Sequence, residues 1–257
     1  MFRLDDKIAI ITGGSKGIGF AIAEAMAQAG AHVVLTARTE ADLQTAVTQL
    51  HNKGYSAEYI VADVQNRETC IALVQATYEK HGHIDILVNN AGMNIRRPAL
   101  DLEPAAYEQI MATNLHGPFY LSQLVGQHMV AAQRGKIINI GSITSTYALS
   151  QAAAYGMTKG AIIQLTRSLA TEWAASNVQV NAIAPGFILT DLNKKLWESN
   201  TELLNWALGN TPARRLGKPE DLGGAAVFLA SSASDFVTGT VINVDGGFLS
   251  GGPWPIG

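Results

Sequence analysis

A glycine-rich turn, Thr12-Gly13-Gly14-Ser15-Lys16-Gly17-Ile18-Gly19, sets the architecture expected of this chain. It lies between a short apolar run at 8–12 and an amphipathic run at 18–29, which predicts a strand, a tight turn and a helix. Glycines let the backbone approach a pyrophosphate, whose charge then meets the N–H groups at the helix start. The turn therefore predicts a dinucleotide site, although its spacing, G-x-x-x-G-x-G, departs from G-x-G-x-x-G and an ordinary glycine-rich turn is the alternative.

The same alternation of short apolar and longer amphipathic runs continues along the chain. It predicts an α/β fold: a Rossmann-type, doubly wound parallel sheet of seven strands in a single domain, residues 1–257. The predicted strands are 8–12, 32–37, 56–61, 84–89, 136–140, 178–183 and 241–244. The predicted helices are 18–29, 40–53, 67–81, 105–130, 152–175 and 220–230. Gly117-Pro118 predicts a kink or break in the fourth helix, and the long insertion at about 187–219 is typical of a lid over a substrate site.

Composition excludes several classes of function. The net charge of -3 provides no basic field for nucleic acid, and no apolar run reaches the roughly 20 residues of a membrane span. Cys70 is the only cysteine, so a thiolate cluster is excluded and a reducing, cytoplasmic location is expected. The six histidines show no ligand spacing with nearby carboxylates, so no metal is expected.

Tyr155 and Lys159 lie one turn apart if 152–175 is helical. An ammonium there can stabilise a phenolate and make the phenol a usable acid near neutral pH. At the end of the second predicted strand, Arg38 stands where an acid would accept from a ribose 2'-hydroxyl. Arg38 and Lys16 together could clamp a 2'-phosphate, which predicts a preference for NADP(H), with NAD(H) also possible; two solvated surface cations are the alternative.

Further motifs follow in order: Asp63-Val64, Asn89-Asn90-Ala91-Gly92, Asn114, Ser142, Tyr155 with Lys159, Pro185-Gly186 and Asp245-Gly246-Gly247. This ordered set resembles the short-chain dehydrogenase/reductase family, in the subgroup whose active site reads Asn-Ser-Tyr-x-x-x-Lys. The resemblance covers residues 7 to about 247. It implies hydride transfer between a nicotinamide cofactor and a secondary alcohol or ketone, with four catalytic residues: Asn114, Ser142, Tyr155 and Lys159.

The resemblance also assigns roles to these residues. Tyr155 would exchange the proton of the substrate oxygen, and Ser142 would orient that oxygen. Lys159 would lower the pKa of Tyr155 and hold the nicotinamide ribose, while Asn114 would anchor a water that relays protons. The expected cofactor-binding residues are Gly13, Ser15, Lys16, Gly17, Ile18, Gly19, Arg38, Asp63, Val64, Asn90, Ala91, Gly92, Tyr155, Lys159, Pro185, Gly186, Ile188 and Thr190.

Substrate choice is expected from loops at the carboxyl ends of the strands. Arg96 and Arg97 suit a carboxylate or another anion, and the hydroxyl groups of Thr144 and Tyr147, beside Ser142 and Tyr155, suit a polyol. The chain is similar to gluconate 5-dehydrogenase-like members, which favours a sugar acid or another hydroxylated anion. A 3-oxoacyl thioester reductase, or a bulky-ketone reductase with Trp197, Leu203 and Trp206 lining its pocket, remains an alternative, and so does a non-catalytic dinucleotide-binding regulator.

Family relatives assemble through their fourth and fifth helices, so a homotetramer is expected. Ala152, Ala161, Ala170 and Ala174 could permit close helix approach at such an interface, or could pack inside the subunit. The tail at 250–257, with a tryptophan between two prolines, could contact a neighbouring subunit.

Overall fold

Seven parallel strands form one sheet, as predicted, in the computed structural model, which describes residues 1–252. The strands are β1 (Ile8–Thr12), β2 (His32–Ala37), β3 (Ala57–Val61), β4 (Ile86–Asn89), β5 (Gly135–Ile140), β6 (Val178–Pro185) and β7 (Val241–Val244). Their order across the sheet is β3-β2-β1-β4-β5-β6-β7. Strands β2 and β3 are therefore added on one side of β1, and β4 to β7 on its other side, so that β1 pairs with both β2 and β4. Ligands of such sheets bind at this point, outside the carboxyl ends of the strands.

The helices are α1 (Gly17–Gln28), α2 (Glu40–Asn52), α3 (Arg67–His81), α4 (Pro104–Met111), α5 (Gly117–Ala132), α6 (Ala153–Trp173), α7 (Lys194–Ser199), α8 (Thr201–Asn210) and α9 (Gly223–Ala230). The tail beyond 252, including its Trp254, lies outside the described residues. Within residues 1–252, no helix has both the length and the apolar character needed to cross a membrane.

Two apolar layers cover the two faces of the sheet. Neighbouring residues of a strand point to opposite faces. Ile11 and Leu35 accordingly pack with Met26 of α1 on one face, whereas Ile10 packs with Leu73 of α3 on the other. All five residues of β1 are buried. A strand covered on both faces reads as a continuous apolar run, and for this reason its bounds were predictable.

The expected irregularity near Gly117-Pro118 is a π-helical turn at Ala112–His116 that joins α4 to α5 without a break. A proline inside a helix cannot donate to the carbonyl four residues earlier, and its ring clashes with that group. Wider π turns occur where such a ladder is disturbed, and often at functional sites. Here the turn contains Asn114, so it determines where that side chain points.

The insertion at 187–219 contains α7 and α8 and returns to its own starting point. Leu189 N donates to Gly217 O at 2.8 Å, and Gly217 N donates to Phe187 O at 2.9 Å. Trp197 of α7 is buried against Phe187, with ring centroids 5.7 Å apart. The insertion is therefore anchored at its base, next to the end of β6.

Candidate active site

The glycine-rich turn is packed too closely for side chains. Gly13 has a φ of +61°, which favours glycine, and a Cβ atom there would lie 2.9 Å from Asn90 Nδ2. A Cβ atom on Gly19 would overlap both the Gly13 carbonyl oxygen and the Asn90 amide. The first turn of α1 therefore packs directly against the end of β1 and the Asn90 side chain.

Asn90, the first residue after β4, links the loop after β4 to the glycine-rich turn. Its Nδ2 donates to Thr12 O at 2.8 Å and to Gly13 O at 3.2 Å. The Thr12 hydroxyl accepts from the backbone N–H groups of Asn90 and Ala91, both at 2.9 Å. The carboxyl ends of β1 and β4 are thus bonded into one rigid surface.

This surface fits a dinucleotide. In the part of the chain that the structure describes, no side chain caps the start of α1, which follows Lys16, and the first turn contains no acidic residue. Uncapped N–H groups and the helix dipole favour an anion at this place. Lys16 pairs with Asp42 at 2.8 Å, whereas the exposed Arg38 makes no ion pair within residues 1–252. Of the two cations predicted to clamp a phosphate, Arg38 is the one not already paired with a carboxylate.

The other predicted cofactor residues lie along the same edge. Val64 is buried after β3, and the neighbouring Asp63 carboxylate accepts from Gln65 N at 3.0 Å. Thr190, after β6, lies so close to Gly17 that a Cβ atom there would be 3.5 Å from its methyl group. The remaining residues fall in the same segments: Ser15 and Ile18 in the first turn, Gly92 after β4, and Pro185, Gly186 and Ile188 at the end of β6.

Tyr155 and Lys159 both lie in α6, one turn apart, as predicted. Lys159 is 5% exposed, and its Nζ donates to the carbonyl of Ile140, at the end of β5, at 2.7 Å. The same ammonium lies 5.7 Å from the centroid of the Tyr155 ring. Ser142 follows β5, and its hydroxyl accepts from Thr144 N at 3.0 Å. The carboxyl end of β5 and the start of α6 thus bring the Tyr155 phenol, the Lys159 amine and Ser142 together.

Burial alters the acidity of both ionisable groups. Burial raises the pKa of Tyr155, while the Ser142 hydroxyl and the charge of Arg96 oppose that rise. Burial lowers the pKa of Lys159 to about 8. At neutral pH the phenol therefore keeps its proton, as a general acid must, and the lysine is poised to exchange its own. The charge that opposes the rise in the pKa of Tyr155 is that of Arg96, and the Lys159 amine donates to the Ile140 carbonyl.

Asn114 holds the loop after β4 against α6. Its side chain accepts from Met93 N and donates to Met93 O, both at 2.8 Å, and donates to Thr158 Oγ1 at 3.2 Å. It is 1% exposed. A Cβ atom on Gly92 would lie 3.5 Å from its Oδ1 and 3.6 Å from Lys159 Nζ. Asn114, Gly92 and Lys159 are therefore immediate neighbours.

The predicted substrate residues lie in two loops that contact each other. Arg97 N donates to Gln151 O at 3.1 Å, which joins the loop after β4 to the loop after β5. Arg96 is exposed and acts on Tyr155 through its charge, whereas the Arg97 guanidinium donates to the Arg96 carbonyl at 3.2 Å. Thr144 Oγ1 is buried and has no hydrogen-bond partner among the described residues. Tyr147 is half exposed and packs edge-on against Phe248.

Sequence reasoning missed three contributors to this site. Thr12 belongs to the quoted turn, but its hydroxyl was not expected to bridge β1 and β4. The carbonyl of Ile140 and the backbone of Met93 hold Lys159 and Asn114 through main-chain atoms. Main-chain partners leave no mark in side-chain patterns, so only the position of Thr12 within the motif could have indicated its part.

Known proteins share both this sequence and this structure. Residues 13–249 match the sequence model of a family described as enoyl-(acyl carrier protein) reductase. The chain belongs to the short-chain dehydrogenase/reductase family. It is 40% identical over 247 residues to a gluconate 5-dehydrogenase of Gluconobacter oxydans, with 96% of each chain covered. It is 41% identical over 250 residues to a galactitol 2-dehydrogenase of Rhizobium johnstonii, also with 96% of each covered.

A solved structure supports the same family membership. A gluconate 5-dehydrogenase of Burkholderia cenocepacia, in complex with NADP and tartrate, superimposes with a TM-score of 0.93 at 41% identity. The alignment covers 97% of both chains. As a member of the short-chain dehydrogenase/reductase family, this chain is an NAD(P)-dependent oxidoreductase that acts on CH–OH groups.

Proposed function

We propose that this enzyme transfers a hydride between NADP(H) and a secondary hydroxyl of a sugar acid or another hydroxylated anion. The observation that carries the proposal is the position of Arg96, an exposed cation whose charge reaches the hydroxyl of Tyr155. A guanidinium whose charge acts on that hydroxyl suits a carboxylate on the same substrate, because its fork matches two oxygens. The gluconate 5-dehydrogenase relative and the tartrate of a solved relative support a hydroxylated anion, and the galactitol 2-dehydrogenase relative supports a polyhydroxylated substrate.

Proton transfer is assigned to Tyr155. The bound nicotinamide supplies the hydride for reduction of a carbonyl, or accepts it in oxidation. Tyr155 donates its phenolic proton to the carbonyl oxygen during reduction and takes the hydroxyl proton during oxidation. The Ser142 hydroxyl hydrogen-bonds the same oxygen and fixes its orientation. With this geometry, one carbonyl, one hydride and one proton yield one alcohol.

Lys159 and Asn114 are proposed to support proton transfer by the Tyr155 phenol. Lys159, with a pKa of about 8, is proposed to hold the nicotinamide ribose and to favour the phenolate that forms after proton donation. Asn114 fixes the loop that carries Gly92 next to the lysine and is proposed to anchor a water that returns the proton from solvent. The four groups Asn114, Ser142, Tyr155 and Lys159 are all present, and nothing favours a non-catalytic regulator.

Cofactor binding is assigned to the rigid surface formed by β1, β4 and α1. The turn from Gly13 to Gly19 is proposed to hold the pyrophosphate, with Asp63 and Val64 at the adenine and the segment from Asn90 to Gly92 at the ribose. Ile188 and Thr190 are proposed to meet the carboxamide, beside Pro185-Gly186. The insertion at 187–219 would close over the substrate as a lid.

The substrate class is tested by Arg96→Gln, with Arg97→Gln as the matched control. Loss of a charge-assisted hydrogen bond of about 1.5–3 kcal/mol raises KM about 10- to 100-fold. We expect that rise with gluconate and related sugar acids in Arg96→Gln only, because the Arg97 side chain bonds the main chain. Steady-state kinetics on sugar acids, neutral polyols and bulky ketones measure it. Unchanged KM for every anion in Arg96→Gln, or turnover with bulky ketones alone, would contradict the proposed class.

NADP(H) preference is expected to depend on Arg38. Arg38→Gln removes a cation that pairs with no carboxylate within residues 1–252, so KM for NADPH should rise about 10- to 100-fold while KM for NADH changes little. Lys16→Gln should have a smaller effect, because Lys16 already pairs with Asp42. The ratio of kcat/KM for the two cofactors measures the preference. Equal ratios in Arg38→Gln and the wild type would show that another group selects the cofactor.

We also propose a cytoplasmic homotetramer that assembles through α5 and α6. Phe119 of α5 and Met157 of α6 are large apolar side chains that are 44% and 57% exposed, so both are available to a partner. Ala152 and Ala170, by contrast, are buried within the subunit. The helix face available to a partner therefore carries Phe119 and Met157 rather than the complete alanine set expected from the sequence.

A further inference from the structure

Three side chains with metal-binding atoms converge at the end of the sheet opposite the active site. They are His32 at the start of β2, Glu58 in β3 and His81 at the end of α3. Their ligand atoms all lie within 4.8 Å of one another. Their spacing along the chain does not suggest this cluster, because the three residues come from three separate elements.

The fold explains the convergence. Val34 of β2 pairs with Glu58 of β3, and His32 lies two residues before Val34, so the side chains of His32 and Glu58 share one face of the sheet. That face is the one covered by α3, as shown by the packing of Val34 with Leu73. His81 is the last residue of α3 and therefore reaches the same corner.

The distances suit three ligands of one cation. Glu58 Oε1 lies 2.7 Å from His81 Nε2 and 3.5 Å from His32 Nε2. Ligands of a tetrahedral zinc ion at bonds of about 2.0–2.1 Å are separated by about 3.3 Å. The three side chains are 15–22% exposed. Small side-chain adjustments would thus complete three ligand positions and leave the fourth for water.

The contacts of the two His32 ring nitrogens are a separate observation that favours a bound cation. Its Nδ1 lies 2.7 Å from Ser56 Oγ, the type of second contact that orients a metal-binding histidine. Its Nε2 is buried and has no hydrogen-bond partner in the described chain. A buried ring nitrogen without a hydrogen-bond partner is costly unless a ligand satisfies it.

We propose that His32, Glu58 and His81 bind a divalent transition-metal cation, with Zn²⁺ as the chemical type. Histidine nitrogen with one carboxylate is a donor set that zinc accepts. Lys80 contacts the other oxygen of Glu58, but its side chain is 63% exposed and can turn to solvent when the cation enters. The cation would join β2, β3 and the end of α3, and so would stabilise the fold without entering the hydride-transfer site.

The test is a titration of the tag-free, full-length enzyme with Zn²⁺ by isothermal calorimetry. The variants are His32→Gln and His81→Gln, and His83→Gln is the control, since His83 lies at the same end of the sheet but pairs with Asp85. We expect one Zn²⁺ per chain in the wild type and in His83→Gln. In His32→Gln and His81→Gln, which each lose a metal ligand, Zn²⁺ binding should be weakened by more than roughly 10- to 100-fold. That range is the usual cost of losing a group that only hydrogen-bonds to a ligand.

Two further measurements keep the result interpretable. Co²⁺ should give the strong visible absorption of a tetrahedral site in the wild type, and Zn²⁺ should raise its Tm; both effects should be lost in His32→Gln. Hydride-transfer activity of each variant reports that it is folded. Equal Zn²⁺ binding in all four proteins, or no saturable binding in the wild type, would overturn the proposal.

Discussion

Replacement of Tyr155 by phenylalanine is expected to lower kcat by roughly 10²- to 10⁴-fold, the usual contribution of a general acid. The variant retains the ring and its packing in α6 and loses only the hydroxyl. The KM for NADPH should change much less than kcat, because the proposed pyrophosphate surface is built from β1, β4 and α1. Absorbance of the reduced nicotinamide with a sugar-acid substrate measures turnover, and quenching of protein fluorescence by NADPH measures binding.

Tyr147→Phe is the matched control for this variant. Tyr147 lies in the loop after β5, and its ring packs against Phe248 at a centroid distance of 5.1 Å. Loss of its hydroxyl should affect KM for a polyhydroxylated substrate more than kcat. If Tyr155→Phe kept wild-type kcat, or if both variants lost kcat equally, Tyr155 would not be the proton donor.

The pH dependence of carbonyl reduction should follow from the assignment of Tyr155 as the proton donor. Reduction needs the protonated phenol, and burial raises the pKa of Tyr155 while it lowers that of Lys159 to about 8. The two shifts move the groups' pKa values apart, so that near neutral pH an acid with its proton lies beside an amine close to its own titration. Such separation of two neighbouring groups is typical of acid–base sites.

Most of the fold was predictable from sequence, and the reason is physical. β1, β2 and β7 have the predicted bounds, and the other strands differ by at most two residues. Strands buried on both faces are continuous apolar runs, and helices covered on one face show a different period. The helices α7 and α8 of the insertion were not predicted. They depend on packing around Phe187 and Trp197 rather than on a clear period.

The site was predictable where a side chain acts in a motif, and not where contacts depend on distant residues. The pair Tyr155 and Lys159 follows from helical spacing alone. The pairing of Lys16 with Asp42, and the reach of Arg96 to Tyr155, depend on how separate loops meet. The π turn that carries Asn114 shows the same limit. Pro118 indicates a disturbed helix, but the form of the disturbance is decided by what the helix packs against.

Gly19→Ala is expected to have the second large effect, on the cofactor cleft and on stability together. The added methyl group would overlap the Gly13 carbonyl oxygen and the Asn90 amide, so α1 would have to move away from β1. Such overpacking typically costs about 1–3 kcal/mol. A displacement of about 1 Å in a positioned site can also lower turnover by about 10²-fold. Chemical denaturation and kcat/KM for NADPH measure the two effects.

Gly224→Ala isolates the part of this effect that is due to crowding. Gly224 is an exposed residue of α9, and within residues 1–252 no atom outside its own stretch of helix lies within 4 Å of the position its Cβ would take. Alanine favours the helix over glycine, so the variant should gain up to about 1 kcal/mol of stability and keep wild-type kinetics. Both variants add the same methyl group to a helical glycine, and they differ only in what the methyl meets. If Gly19→Ala were as stable and as active as Gly224→Ala, close backbone contact at the glycine turn would not be what shapes the cofactor cleft.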